Sequence, residues 1–265
     1  MPELPEIRNL AVQMNEALLG SAIMLADILQ PKCLNLPEDL WKARIEGRTI
    51  ENVDAKGKWI RVHLTDGYEL RINLGMGGEV LLHDAGEEVS VKKRALLMFA
   101  DGRSISVNFW WFGSLHAIGP GEMHAPFDKL GPDILNVDET EFAAAYSCKK
   151  SPIKTLLLKQ DIFCGIGNYY VHDILFAAGI HPMRPGNSLS EEEMMRLFNA
   201  VHKIFQKAIL QGAADYERDL YNNLGHYSAT QVGYREGEPC RVCGTAIAAE
   251  RIGSANSYFC PKCQK

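Results

Sequence analysis

The sequence predicts an α+β chain of several domains: a helix-flanked β-sandwich first, a helical domain next, and a small cysteine-held β-hairpin last. Three observations carry that expectation. Short alternating apolar runs fill residues 22–118, separated by turn signals such as Asp66-Gly67 and Asp101-Gly102. From Pro152 onward the apolar spacing lengthens to that of a helix. Four of the seven cysteines fall near the end as Cys240-x2-Cys243 and Cys260-x2-Cys263. At 265 residues and 46% hydrophobic, the chain is long enough for two globular units and an appendage. The expected boundaries are 1–120 for the sandwich, 121–150 for a linker, 151–234 for the helical domain and 235–265 for the hairpin.

The first element is a helix. Ile7, Leu10, Ala11, Met14 and Leu18 recur at helical spacing, Pro5 suits the first turn and Gly20 ends the run. Ahead of it stands Met1-Pro2-Glu3-Leu4-Pro5-Glu6. A penultimate proline permits removal of the initiator Met, which leaves Pro2 as a secondary amine beside two carboxylates, Glu3 and Glu6. An α-amino group titrates near ~7.7–8.0, and the positive end of a helix favours its neutral, nucleophilic form. Such an amine condenses with a sugar aldehyde to an iminium ion, while a carboxyl group nearby moves protons.

The β-region opens with Lys58-Trp59-Ile60-Arg61-Val62-His63-Leu64, whose alternation places Lys58 on the face of Ile60, Val62 and Leu64. Gly75-Met76-Gly77-Gly78 reads as a flexible loop with one large apolar side chain. Asn108-Phe109-Trp110-Trp111-Phe112-Gly113 sets four aromatics in a row, and alternation buries half and exposes half, as an apolar wedge or a stacking surface for bases. Next come a short helix over 153–160 and Gly165-Ile166-Gly167-Asn168, with Asn168 as N-cap of a helix from about Tyr169 to Ala178. Ser190-Glu191-Glu192-Glu193 is a capping box that opens a long helix ending near Gly212.

Charge is unevenly spread. The net charge is −5, with −8 in residues 1–148, +3 in 149–184, −2 in 185–234 and +2 in 235–265. The positive patches in the C-terminal half are those of a phosphate-binding face. No run of about 18 apolar residues and no basic-apolar leader is present, so the expectation is a cytoplasmic, monomeric protein with no membrane span. The paired Cys-x2-Cys motifs fit one tetrahedral Zn²⁺ held by Cys240, Cys243, Cys260 and Cys263. Four protein ligands leave no open position, so the zinc is structural, and residues 246–259 form the finger's hairpin.

Together these stretches resemble the formamidopyrimidine-DNA glycosylase and endonuclease VIII family of base-excision-repair enzymes. The resemblance rests on Pro2-Glu3-Leu4-Pro5-Glu6, Gly57-Lys58, Leu74-Gly75-Met76 and Gly165-Ile166-Gly167-Asn168. It continues through Leu175 to Pro182, Arg235 to Cys240 and Cys260-Pro261-Lys262-Cys263-Gln264. It implies a helix–two-turn–helix domain between the sandwich and the zinc finger, damaged DNA as partner, and work at a bacterial nucleoid. It implies that Pro2 attacks C1′ of an extruded nucleotide, with Glu3 as proton donor to the sugar, Glu6 in support and Lys58 on phosphate. Met76 then fills the gap left by the extruded base, and Lys154 and Asn168 contact DNA.

The chain departs from the family's oxidised-purine branch, which commonly carries Asp-Pro-Arg-Arg-Phe-Gly at 108–113. Trp110 and Trp111 replace both arginines, and Phe112 is kept. A finger arginine is replaced at Ala255, and Leu220–Tyr227 is shorter than that branch's lesion-covering loop, as in endonuclease VIII. The implied activity is a bifunctional glycosylase and abasic-site lyase favouring oxidised pyrimidines. The alternatives are a non-catalytic reader of damaged DNA that kept the fold, and a zinc-ribbon adaptor between proteins.

Overall fold

The computed structural model of the protein describes residues 1–253 and 255–265. The chain forms two compact units, one of residues 1–129 and 211–226, the other of 130–210 and 227–265. Residues 211–226, which the sequence boundaries put in the helical domain, therefore belong to the first unit.

The first unit begins with α1 (Leu4–Leu18), followed by β1 (Ile23–Ile28), α2 (Glu38–Ile45), β2 (Ile50–Lys56), β3 (Trp59–Leu64) and β4 (Tyr68–Asn73). Next come β5 (Glu79–His83), β6 (Ala95–Phe99), β7 (Ser104–Asn108), β8 (Ser114–Ile118) and the single turn α3 (Ala125–Asp128). The strands make two four-stranded antiparallel sheets, β1-β6-β7-β5 and β2-β3-β4-β8. Ile23, Val80, Leu97 and Ile105 from one sheet share a buried cluster with Ile60, Val62, Leu70 and Ile72 from the other. The apolar face of α1, with Ile7, Leu10, Met14 and Leu18, closes that cluster, so the helix whose start carries Pro2 and Glu3 is fixed to the sandwich by its whole length.

The β-rich stretch also holds a helix that alternation does not reveal. Only Trp41 and Ile45 of α2 are buried, too few for a clear apolar stripe, and Trp41 Nε1 donates to the Leu115 carbonyl at 2.9 Å. Lys58 is not the first residue of a strand. It sits in the two-residue turn between Lys56 and Trp59, so strand parity does not decide its direction.

The second unit contains α4 (Glu139–Tyr146), α5 (Ile153–Leu157), α6 (Val171–Ala178), α7 (Glu191–Leu210) and the hairpin of β9 (Ala248–Ile252) with β10 (Ala255–Phe259). The predicted hairpin over 246–259 includes Ser254, which lies outside the described residues. The expected linker over 121–150 is structured instead. Asp138 and Glu141 form a capping box at the start of α4, whose Phe142 and Tyr146 are fully buried among Phe163 and Phe198. Asn168 is not the cap of α6. The Val171 N–H already donates to the Gly167 carbonyl at 3.2 Å, so Asn168 lies inside the first turn and Tyr170 has helical backbone angles. Gly179 closes α6 in the left-handed conformation, and Ser190 and Glu193 cap α7 reciprocally. Among the described residues, no helix is long and apolar enough to cross a membrane.

Candidate functional site

The start of α1 is a folded site. Glu3 is its N-cap, and Glu3 and Glu6 form a reciprocal capping box in which the Glu3 N–H donates to Glu6 Oε2 at 2.7 Å. The other Glu6 oxygen accepts the Ala214 N–H at 3.1 Å. Both carboxylates are buried, at 3% and 4% exposure, and Pro2 is buried beside them. A buried carboxylate keeps its charge only when hydrogen-bonded, and Glu6 has a backbone N–H on each oxygen. Glu6 thus fixes the N-terminus and holds residues 211–226 against it.

A second cluster lies at a loop pair of the same unit. The Met76 N–H donates to the Trp111 carbonyl at 2.8 Å, and the Trp110 N–H donates to the Met76 carbonyl at 2.9 Å. The two loops are therefore zipped into one tip. Trp110, Trp111 and Phe112 are exposed at 65%, 64% and 81%, Met76 at 46%, while Phe109 is buried. Strict alternation across the aromatic run does not hold. β7 ends at Asn108, so strand alternation stops before the run, and Phe112 itself adopts φ of 61°. The tip is an apolar, largely aromatic prow with Lys32 and Arg94 beside a shallow hollow of about 190 Å³ under it.

In the second unit Lys154 is 1% exposed, and its Nζ donates to the Asn256 carbonyl at 2.8 Å and to Ser257 Oγ at 2.7 Å. Burial pushes its pKa down to about 8. An ammonium has three donors, so one N–H remains beyond these two bonds. The Asn168 Oδ1 is buried without a hydrogen-bond partner, a state that native interiors rarely tolerate unless a ligand completes it.

The four cysteine sulfurs all lie within 4.8 Å of one another, with Cys240 and Cys263 at 3.9 Å and Cys243 and Cys260 at 3.4 Å. Tetrahedral zinc thiolates stand roughly 3.8 Å apart, given Zn–S bonds of ~2.3 Å. The donor set fits one structural Zn²⁺. Each Cys pair is shaped by a tight turn: the Gly244 N–H donates to the Cys240 carbonyl, and the Cys260 N–H to Gln264 Oε1.

Comparison with known proteins bears on the whole chain. The formamidopyrimidine-DNA glycosylase N-terminal domain matches residues 1–108, that family's H2TH domain residues 130–218, and the zinc finger found in FPG and IleRS residues 237–265. Proteins named formamidopyrimidine-DNA glycosylase from Bacillus cereus and Chloroflexus aggregans are 31% and 33% identical. Each alignment covers all of this chain, and 99% and 98% of the relative. The chain belongs to the formamidopyrimidine-DNA glycosylase family. Among solved structures, the MutM (Fpg) protein of Thermus thermophilus superposes with a TM-score of 0.87 at 30% identity, over 99% of this chain and 98% of that one. Lactococcus lactis Fpg bound to DNA containing an oxidised pyrimidine gives 0.89 at 27% identity, over the full length of both chains.

Within this family frame the fold brings together residues that no local motif announces. Glu217 stands near the N-terminal amine, with Oε1 at 3.8 Å from it, and Glu79 is close enough to act on the Glu217 carboxylate. The position of Glu217 depends on residues 211–226 folding back on α1, a contact across some two hundred residues. Pro2, Glu3 and Glu6 are gathered in one place, and Met76, Trp111 and Phe112 in another. The zinc ligands form a third cluster, in the second unit.

Proposed function

We propose that this chain is a base-excision-repair DNA glycosylase with abasic-site lyase activity, that Pro2 is its nucleophile, and that oxidised pyrimidines are its preferred lesions. The observation that supports this most is the burial of Pro2 at a helix N-terminus, beside the Glu3–Glu6 capping box. The helix dipole and partial desolvation both favour the neutral amine, the form that attacks. The Pro2 nitrogen forms a bond to C1′ as the bonding pair of the glycosidic bond leaves with the base. Glu3 gives its proton to the ring oxygen, the ring opens, and the nitrogen loses its remaining proton to give the iminium. Loss of a C2′ proton then expels the 3′ phosphate. Glu6 keeps the amine and Glu3 in register.

The remaining residues hold DNA. Met76, Trp111 and Phe112 enter the stack where the damaged nucleotide leaves it. Lys58, the spare N–H of Lys154 and Asn168 bind backbone phosphate. The zinc supplies folding energy to the finger, whose hairpin Lys154 grips. The lesion preference is supported by the segment after Asp219, which is a closed turn rather than a free loop. Asp219 Oδ1 accepts the Tyr221 and Asn223 N–H groups at 3.0 and 2.8 Å, and the Leu82 N–H pins the Leu220 carbonyl at 2.9 Å. So short and tied a segment has little length to fold over a large extruded purine.

The test is base release from matched duplexes carrying an oxidised pyrimidine or 8-oxoguanine. Faster release of the pyrimidine is expected. The reverse order contradicts the lesion preference, and tight binding with no release of either base makes the protein a reader instead.

A further inference from the structure

The amine at the chain's start needs a base as well as an acid. Glu6 is fully engaged, with a backbone N–H on each carboxylate oxygen. Glu3 caps the helix and, in the proposed reaction, is required in its protonated form. Neither is suited to receive the proton that Pro2 must lose.

Glu217 is placed to do so. Residues 211–226 are tied to α1 by the Ala214 N–H on Glu6, by the Leu220 N–H on Gln13 Oε1 at 2.9 Å, and by Gln13 Nε2 on Asp219 Oδ2 at 3.0 Å. This tether brings the Glu217 side chain, 11% exposed, to 3.8 Å from the terminal amine of Met1. That amine lies three bonds from the Pro2 nitrogen. Removing Met1 makes the Pro2 nitrogen the chain's terminal ammonium, three bonds from the point where the Met1 amine meets Glu217. The groups that act on this carboxylate are that amine, Glu3 and Glu79.

We infer that Glu217 is the general base that takes a proton from the Pro2 ammonium and so generates the neutral nucleophile. The inference rests on Pro2 being the nucleophile. One N–H bond breaks, its electron pair stays on nitrogen, and the proton forms an O–H bond on Glu217. The acid returns the proton to solvent as the cycle closes. Burial raises the Glu217 carboxyl to about 7, against the pull of the amine, with Glu3 and Glu79 adding to the rise. An α-amine titrates near ~7.7–8.0, so the transfer is close to balanced at neutral pH, where a general base works best.

The test is the rate of borohydride trapping on preformed abasic DNA across pH, with Met-processed, zinc-loaded full-length protein. Glu217→Gln keeps the shape and removes the base. It is expected to slow trapping about tenfold or more at pH near 6.5. The loss should vanish above pH ~9, where solvent deprotonates the amine. Glu217→Asp keeps a titrating carboxylate and should keep the wild-type pH profile at a reduced rate. Equal melting temperatures and abasic-DNA affinities show that both variants are folded. A Glu217→Gln profile within about twofold of wild type at every pH overturns this inference alone, provided wild-type trapping is lost in Pro2→Gly. Absence of any Pro2-dependent trapping in the wild type overturns the nucleophile and its base together.

Discussion

Gly75 decides the geometry of the prow at the residue scale. It has φ of +55°, and a Cβ there stands 2.1 Å from the Trp111 carbonyl oxygen. No side chain fits without breaking the bond that joins the Met76 loop to the aromatic loop. Gly75→Ala is expected to destabilise the first unit by more than about 1 kcal/mol and to alter the emission of Trp110 and Trp111. Denaturant titration read by tryptophan fluorescence checks both. Trp111 carries a separate expectation. If position 111 faces phosphate, Trp111→Arg adds a contact there and should steepen the slope of log K against log salt by ~0.9 on duplex DNA. An unchanged slope means that position 111 does not face phosphate. These residues differ in how readable they are from sequence. Pro2, Glu3 and Glu6 lie within one helical turn, and their spacing states their geometry. Glu217 reaches the same site only through long-range packing, and nothing in its neighbours in sequence marks it.

At the scale of elements, the face of β3, β4 and β8 opposite the core is covered by α3 and the residues before it. His116 Nδ1 and His124 Nε2 lie 2.6 Å apart, with Trp59 edge-on to His124 and tilted against His116, and Phe127 packed against His124 and Trp59. Burial, with like charge from His124 and Arg71, pushes His116 down to about 4, and burial with Arg71 lowers His124. Asp128, Glu122 and Glu69 act in the opposite sense on His124. Both imidazoles are neutral in the fold and titrate near ~6.5 when unfolded, so the unfolded chain binds more protons below that value. Stability should therefore fall as pH drops from about 6.5 toward 4, and His116→Phe should flatten that part of the curve. Melting temperatures of the two proteins across pH ~4–7.5 give the comparison. Sequence periodicity finds α1 and α7 by their long apolar faces, and β3–β4 and β6–β7 by the apolar runs flanking Asp66-Gly67 and Asp101-Gly102. It does not find α2 or α4, which bury only two large side chains each along eight residues. It predicts only half of the aromatic run exposed, because it extends strand alternation past Asn108, where β7 ends and a loop begins.

At the scale of the whole molecule, the finger and the helices are parts of one compact unit. Gln264 Nε2 donates to the Ile180 carbonyl, the Lys265 N–H to the Gly179 carbonyl, and Lys154 holds β10. Metal analysis should find one zinc per chain. Chelation should lower the helix content and the DNA affinity together, because the finger's fold is tied to α5 and to the end of α6. Full affinity after zinc removal contradicts this coupling. The central claim is that the chain acts through its N-terminal proline. The measurement that bears on it most directly is borohydride reduction of the protein on abasic DNA, followed by digestion and mass mapping of the crosslinked peptide. A reduced adduct on Pro2 at the processed N-terminus, lost when Met1 is retained, is the predicted result. An adduct on Lys58 with Pro2 unmodified, or no adduct from protein that binds abasic DNA tightly, contradicts it.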